Sequence, residues 1–145
     1  MNPSRVVFTI PGFVEVVHEP DLDAVRLRYS RLYDEEGINI PRAVHKAVSY
    51  AKQNGISNWI ADTAKPTDSL SEKDAAWVAT QEFRDILLNS PIITFVLLAP
   101  GPEAGVDTSW IPDWRDATEA GFDGNIKVHV AESENDIRAL LAGSG

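Results

Sequence analysis

The sequence predicts an α/β fold: a single-domain mixed sheet with the element order βββαβαβαβα. Three observations predict this fold class. Short β-branched runs separated by turn signals open the chain, strand and helix patterns then alternate, and residues 92–98 form an unbroken apolar run. Such a run is typical of a strand that is covered on both faces. The order favours an antiparallel N-terminal meander followed by parallel strands joined by right-handed crossovers.

The N-terminal meander is predicted from three β-branched and aromatic runs. These are residues 6–10, 14–18 and 24–32, with turn signals at Pro11-Gly12 and Glu19-Pro20-Asp21. In the third run, apolar residues alternate with Arg26, Arg28 and Ser30. Because successive side chains of a strand point to opposite faces, we expect one apolar face and one face of solvated cations.

The first helix is predicted over residues 39–54, where apolar residues recur at helical spacing. Asn39 is the expected cap, Pro41 is tolerated in the first turn, and Gly55 stands just beyond the end. A buried strand is then predicted at residues 58–62.

Ser71 stands three residues before Asp74, a spacing that resembles a capping box, and predicts a helix over residues 72–89 that ends before Pro91. The remaining elements are the strand at residues 92–98, a helix at residues 110–119 that closes near Gly121, a strand at residues 126–130 and a final helix capped by Ser133.

Length and composition indicate one ordered domain over residues 1–145, with its core at about residues 6–142. The chain has 43% hydrophobic and 24% charged residues, which is the ordinary globular range. Its formal charge of −9 argues against general affinity for nucleic acid or anionic lipid, which are bound by clustered cations. The acidic surface serves solubility or meets a basic partner.

The chain has no cysteine, which excludes disulfides, thiolate metal sites and a cysteine nucleophile, and favours a reducing cytoplasm. No apolar run approaches the length of a membrane span. His18, His45 and His129 fall on separate elements without paired ligand spacing, so we expect neither a metal site nor a catalytic cofactor.

The loop over residues 62–71 is the leading candidate site, because it follows a predicted strand and is rich in hydroxyls and carboxylates. Ligands of such sheets gather at the carboxyl ends of the parallel strands. Asp62 and Thr63 stand at the strand end, where Asp62 is either a structural hydrogen-bond acceptor or a general base. We expect Asp68 to be a solvated turn residue near Asp62. The first role that we expect for Ser71 is that of a helix cap.

Four tryptophans are many for this length. We expect Trp59 and Trp77 in the core. Trp110 and Trp114 are one helical turn apart and follow a Gly- and Pro-rich loop, so they serve either core packing or a pocket for a small apolar ligand.

The strand Asn58-Trp59-Ile60-Ala61-Asp62, the helix start Leu70-Ser71-Glu72-Lys73-Asp74 and Trp77, together with the element order, resemble the STAS-like domains of sulphate transporters and anti-sigma-factor antagonists. The resemblance covers about residues 13–142. It is strongest to small stand-alone bacterial STAS-like proteins whose second long strand ends Asn-Trp-x-x-Asp.

This resemblance implies a non-catalytic regulatory or protein-interaction module, with its contact surface at the 62–71 loop and the following helix. In the anti-sigma-antagonist type a hydroxyl near that helix start is phosphorylated, and here the candidates are Ser71, Ser69 and Thr63. An exposed strand of the meander would also be available for pairing in a homodimer. The alternatives are a small-molecule binding module that uses Trp110 and Trp114, and an enzyme with Asp62 as general base.

Overall fold

The computed structural model of the protein describes residues 4–65, 71–78, 80–100, 105, 108–109 and 111–142. The strands are β1 (Arg5–Ile10), β2 (Val14–Glu19), β3 (Ala24–Tyr29), β4 (Asn58–Asp62), β5 (Thr94–Leu98) and β6 (Lys127–Ala131). The helices are α1 (Asn39–Asn54), α2 (Glu72–Val78), α3 (Gln81–Leu88), α4 (Ile111–Gly121) and α5 (Glu134–Ala142), and a 3₁₀ turn lies at Pro20–Leu22.

The strands in these ranges form one six-stranded sheet in the order in which they occur along the chain. β1, β2 and β3 pair antiparallel, whereas β3, β4, β5 and β6 pair parallel. Short turns permit the antiparallel pairs, and each parallel pair is joined through helical segments. The predicted mixed α/β sheet, with a meander first and parallel strands later, is confirmed.

Helices cover the two faces of the sheet unequally. The larger core lies between α1, α3 and the strands, and it contains Trp59 stacked on Phe95 with 6.2 Å between ring centroids. On the opposite face, Ile137 and Leu141 of α5 pack on Ile60. Of the described helices, α5 is the one that contributes buried residues to that second core.

The third strand departs from its prediction. β3 ends at Tyr29 and not at Leu32, and Arg26 is only 3% exposed. The expected face of solvated cations is therefore wrong at Arg26, although Arg28 is exposed as predicted. The alternation of side chains along the strand identified the face that carries Arg26 and Arg28, but it could not reveal which acidic groups cover Arg26.

The predicted single helix over residues 72–89 is wrong, because two helices occupy that range. α2 ends at Val78, and α3 begins after Thr80, whose hydroxyl accepts a hydrogen bond from the Phe83 amide and donates one to the Trp77 carbonyl. A threonine that caps a new helix competes with continuation of the old one. The chain therefore turns within the predicted helix.

The start of α1 also differs from its prediction. Asn39 is the first helical residue and not the cap. Instead, the Asp34 carboxylate accepts hydrogen bonds of 2.9 Å from the amides of Ile38 and Asn39, and these bonds hold its pKa below the ordinary value. At the other end, Gly55 adopts φ +63°, as expected for a residue that ends a helix.

Smaller shifts occur in the later strands. β5 begins at Thr94, and Ile93 is exposed, so the apolar run is covered on both faces only from Thr94 onward. β6 lies one residue beyond its predicted position. Ser133 accepts a 3.2 Å hydrogen bond from the Asp136 amide, which confirms the predicted cap of α5.

No helix within the described ranges is both long and apolar enough to cross a membrane.

Candidate functional site

The loop after β4 begins against the end of β5. The amide and the hydroxyl of Thr63 both donate to the Leu98 carbonyl, at 3.0 and 2.8 Å. Thr63 therefore extends the pairing of the two parallel strands at their carboxyl edge. Asp68 and Ser69, which the sequence placed in this loop, and Trp110, in the other loop at this edge, lie outside the described residues.

Asp62 is held on both of its carboxylate oxygens. Oδ2 accepts from Nε of Arg26 at 2.9 Å, and Oδ1 accepts from the Ala64 amide at 3.2 Å. The strand register explains the first contact, because Asp62 lies opposite Arg28 and on the same face as Arg26. Both carboxylate oxygens of Asp62 therefore accept hydrogen bonds in the folded chain.

Arg26 is the centre of a four-residue ionic cluster with Glu19, Asp62 and Glu134, which we call the Arg26 cluster. Its Nη1 lies 3.3 Å from Oε2 of Glu19, and Glu134 receives hydrogen bonds from both Nη1 and Nη2. Burial alone would lower the pKa of the guanidinium, but the bond to Glu134 and the charges of Asp62 and Glu19 raise it above its ordinary value. The same bond lowers the pKa of Glu134.

Sequence reasoning did not identify the Arg26 cluster. Arg26 and Glu134 are 108 residues apart, and they meet because α5 packs on the same face of the sheet as Arg26. The available signal was a cation inside an alternating strand next to a strand that ends on a carboxylate. Without the register, that signal could not distinguish a solvated arginine from a buried one.

Ser71 caps α2 from a buried position. Its hydroxyl accepts from the Asp74 amide at 3.2 Å and donates to Oδ2 of Asp74 at 3.1 Å. Ser71 is 5% exposed and Asp74 is fully buried. A phosphate on Ser71 would therefore have to displace buried contacts and would lie beside a carboxylate.

Asp74 is a second residue whose burial the sequence did not indicate. Its Oδ1 atom is buried and accepts no hydrogen bond from a described residue. Burial raises the pKa of Asp74, the Ser71 bond opposes that shift, and the charge of Asp34 adds to it. Burial, together with the charge of Asp74, also raises the pKa of Tyr29.

An exposed surface surrounds this buried pair. Glu72, Lys73 and Ala76 are exposed on α2, and the loop before α1 packs against Lys73 at Gly37, where an added Cβ would lie 2.9 Å from Cβ of Lys73. The same loop carries Ile38, which is 48% exposed, and the exposed ring of Tyr33. We call these residues the α2 surface: Tyr33, Ile38, Glu72, Lys73 and Ala76.

The tryptophans that are described pack inward. Trp59 is buried, as predicted, and Trp77 is half-buried with its ring centroid 5.2 Å from that of Phe83. Trp114 is half-buried on α4, with its ring centroid 5.8 Å from that of Phe95. The structure thus places Trp114 against the sheet core.

An open groove of about 590 Å³ lies elsewhere, between α1 and α3. Its lining is mixed, with His45 and Lys52 from α1 and Glu82, Asp85 and Ile86 from α3, and Trp114 is not part of it.

His18 does not line the groove, and its Nδ1 atom lies 3.0 Å from the Tyr50 hydroxyl oxygen. Within the ranges that the structure describes, no group of three or more histidine, cysteine or acidic residues is arranged to hold a metal ion.

In comparisons with known proteins, no family model, curated protein or solved structure gives a significant match to this chain. The chemistry of the candidate site is therefore inferred from the geometry of its residues. The polar groups at the carboxyl edge bond to one another: Asp62 to Arg26, Thr63 to Leu98 and Ser71 to Asp74. Such groups position a loop and a helix.

Proposed function

We propose that this chain is a non-catalytic regulatory module of the STAS-like type, which binds a protein partner through the α2 surface and the adjoining 62–71 loop. One observation carries the proposal: Asp62, the best candidate base in the sequence, has both oxygens engaged, by Arg26 and by a loop amide. A general base must be within reach of a proton that it abstracts. Asp62 would have to leave a buried cation to do so.

The α2 surface has the composition of a protein contact. It combines the apolar side chain of Ile38 and the exposed ring of Tyr33 with the charges of Glu72 and Lys73. Apolar and aromatic residues surrounded by charges are typical of interface centres and rims. The packing of Gly37 on Lys73 supports the view that the loop and α2 present one continuous surface.

The antiparallel start and the later alternation of strands and helices support the STAS-like part of the proposal, because they agree with the predicted element order on which the resemblance depends, apart from the second helix between β4 and β5. The absence of cysteine favours the cytoplasm as the place of action. Phosphorylation at Ser71 would act by opening α2, since its hydroxyl is buried against Asp74. Intact-mass measurement on protein from its native cells would detect the added phosphate.

The test compares two alanines on exposed helix surfaces. Ala76→Arg alters the α2 surface, and Ala139→Arg makes the same change on α5. Wild type and both variants are used to capture proteins from the native cells, and each captured protein is then purified and titrated against all three by calorimetry. The proposal expects a partner that binds wild type and Ala139→Arg equally and loses about tenfold or more in affinity for Ala76→Arg. Equal binding to all three would contradict it.

A further inference from the structure

The two edge strands of the sheet, β6 and β1, differ in how their outer backbone groups are hydrogen-bonded. At β6, the Val128 amide donates a 2.9 Å hydrogen bond to Oε2 of Glu119 on α4, so a side chain occupies a backbone donor of that strand. β1 is the opposite edge. Among the described residues, no strand pairs with its outer side and no side chain bonds to its backbone. An open edge strand presents unpaired N–H and C=O groups to an incoming chain.

Cations surround β1 on the side that faces α1. The guanidinium of Arg42 and the ammonium group of Lys46 lie 5.9 and 5.7 Å from the Phe8 ring centroid. Arg5 lies opposite His18, which contacts Tyr50 of α1, so the alternation of the strand places Arg5 on the same face. All three cations are exposed, in a chain whose formal charge is −9. No described carboxylate forms an ion pair with any of them.

The other face of β1 carries two exposed side chains, the apolar Val6 and the polar Thr9, which lies opposite Glu15. Val6 is 55% exposed, and it lies opposite the buried Val17 of β2. A strand added beside β1 would therefore meet cations on one face, and Val6 and Thr9 on the other. The β-bulge between Val6 and Phe8 sets the positions along β1 at which an added strand would contact the cations and Val6.

We propose that β1 is a docking edge for an extended acidic segment of a partner protein, which pairs with it as an added strand. Acidic side chains at alternate positions of the segment face Arg5, Arg42 and Lys46, and the side chains between them include an apolar one that packs on Val6. Backbone hydrogen bonds supply affinity in this mode of recognition, and the alternating side chains supply specificity.

Charge selects this occupant over a second copy of the chain. In a symmetric pair the same patch meets itself, so the three cations of one copy would approach those of the other. Like charges brought together at an interface oppose association. An acidic segment has the opposite effect, because it neutralises the cations that it meets.

The test uses a fluorescein-labelled synthetic peptide of about eight residues that alternates valine and glutamate, a length that spans a typical strand. Anisotropy measures its binding to the full chain at low and at physiological salt. The variants are Val6→Glu and the double reversal Arg42→Glu/Lys46→Glu. The matched control is Lys52→Glu/Lys127→Glu, which makes the same change in net charge at two exposed cations away from β1.

The proposal expects saturable, salt-sensitive binding that weakens about tenfold or more in Val6→Glu and in the Arg42/Lys46 reversal. The control should retain wild-type affinity, a valine-lysine peptide should not bind, and hydrogen exchange should slow at Arg5–Ile10. Equal weakening by the control, or no saturable binding, would overturn the proposal. A wild-type dimer that Val6→Glu dissociates would also overturn it, because a second copy would then occupy the edge. The Ala76→Arg variant leaves β1 unchanged, so these outcomes are independent of the α2 surface.

Discussion

Arg26 of β3 donates a 2.9 Å hydrogen bond from Nε to Oδ2 of Asp62 at the end of β4, across 36 positions of sequence. The guanidinium is buried, and Glu19 and Glu134 complete its surroundings. In the folded chain, the Asp62 carboxylate therefore neutralises a buried cation. This relationship also ties the end of β4, where the candidate loop begins, to α5.

Replacing Arg26 should destabilise the protein strongly. Arg26→Met removes the cation and leaves Asp62 as a partly buried charge without its partner, which costs about 3 kcal/mol. Arg28→Met on the same strand is the control, because Arg28 is exposed and should cost no more than about 0.5 kcal/mol. Urea unfolding measures both variants. Adding Asp62→Asn to Arg26→Met should recover part of the loss, and a double variant less stable than the single one would contradict this account.

Removing the Ser71 hydroxyl should cost more than removing an exposed cap. Ser71→Ala loses the bond from the Asp74 amide and also the donor to Oδ2 of Asp74, so we expect a loss of about 2 kcal/mol in the free energy of unfolding. Ser133→Ala loses one exposed cap bond and should cost about 1 kcal/mol. Chemical denaturation compares the two variants. Equal losses would show that the buried Ser71–Asp74 pair adds nothing beyond capping.

Asp74→Asn should gain stability relative to wild type as the pH rises. The pKa of Asp74 is raised above its ordinary value of 3.8, with burial as the largest cause. The folded state therefore binds this proton more tightly than the unfolded state, and the stability that the protonated group contributes is lost as pH rises through the raised pKa. Asparagine cannot ionise, so the difference in unfolding free energy should shift in its favour from about pH 4 upward.

Urea unfolding at several pH values between about 3 and 7 measures this difference. Asp34 is present in both proteins, so its own titration largely cancels in the comparison. A difference that is constant over the range would show that Asp74 does not control the pH dependence.

Two glycines with similar backbone geometry separate loop strain from the packing of the loop on α2. Gly12 and Gly37 have φ +71° and +68°, but an added Cβ meets nothing within 4 Å at Gly12 and lies 2.9 Å from Cβ of Lys73 at Gly37. Gly12→Ala should cost about 1 kcal/mol from backbone strain alone. Gly37→Ala should cost more, because the loop or α2 must also move.

Thermal or urea unfolding gives both losses, and amide exchange in α2 should rise only in Gly37→Ala. Equal losses of unfolding free energy in the two variants, with unchanged amide exchange in α2, would mean that the loop before α1 does not pack on α2. The α2 surface would then not be continuous.

The sequence by itself determined the sheet type and the order of the elements, except that two helices stand where one was predicted between β4 and β5. Turn signals at Pro11-Gly12 and at Gly55, apolar spacing in α1 and the apolar run of β5 are all local features, and each placed its element within a few residues. Local patterns are sufficient here because a strand or helix exposes its period within its own residues. The cap of α5 at Ser133 was predictable for the same reason.

Only the tertiary structure decided which polar residues are buried and what they contact. Arg26 meets Glu134, and the charge of Asp74 acts on Tyr29, through packing and register that join distant segments. The break before α3 and the capping of α1 by Asp34 likewise depend on competing hydrogen-bond partners. A sequence pattern shows that a side chain is charged, but its burial is set by the groups that surround it, and those groups come from elsewhere in the chain.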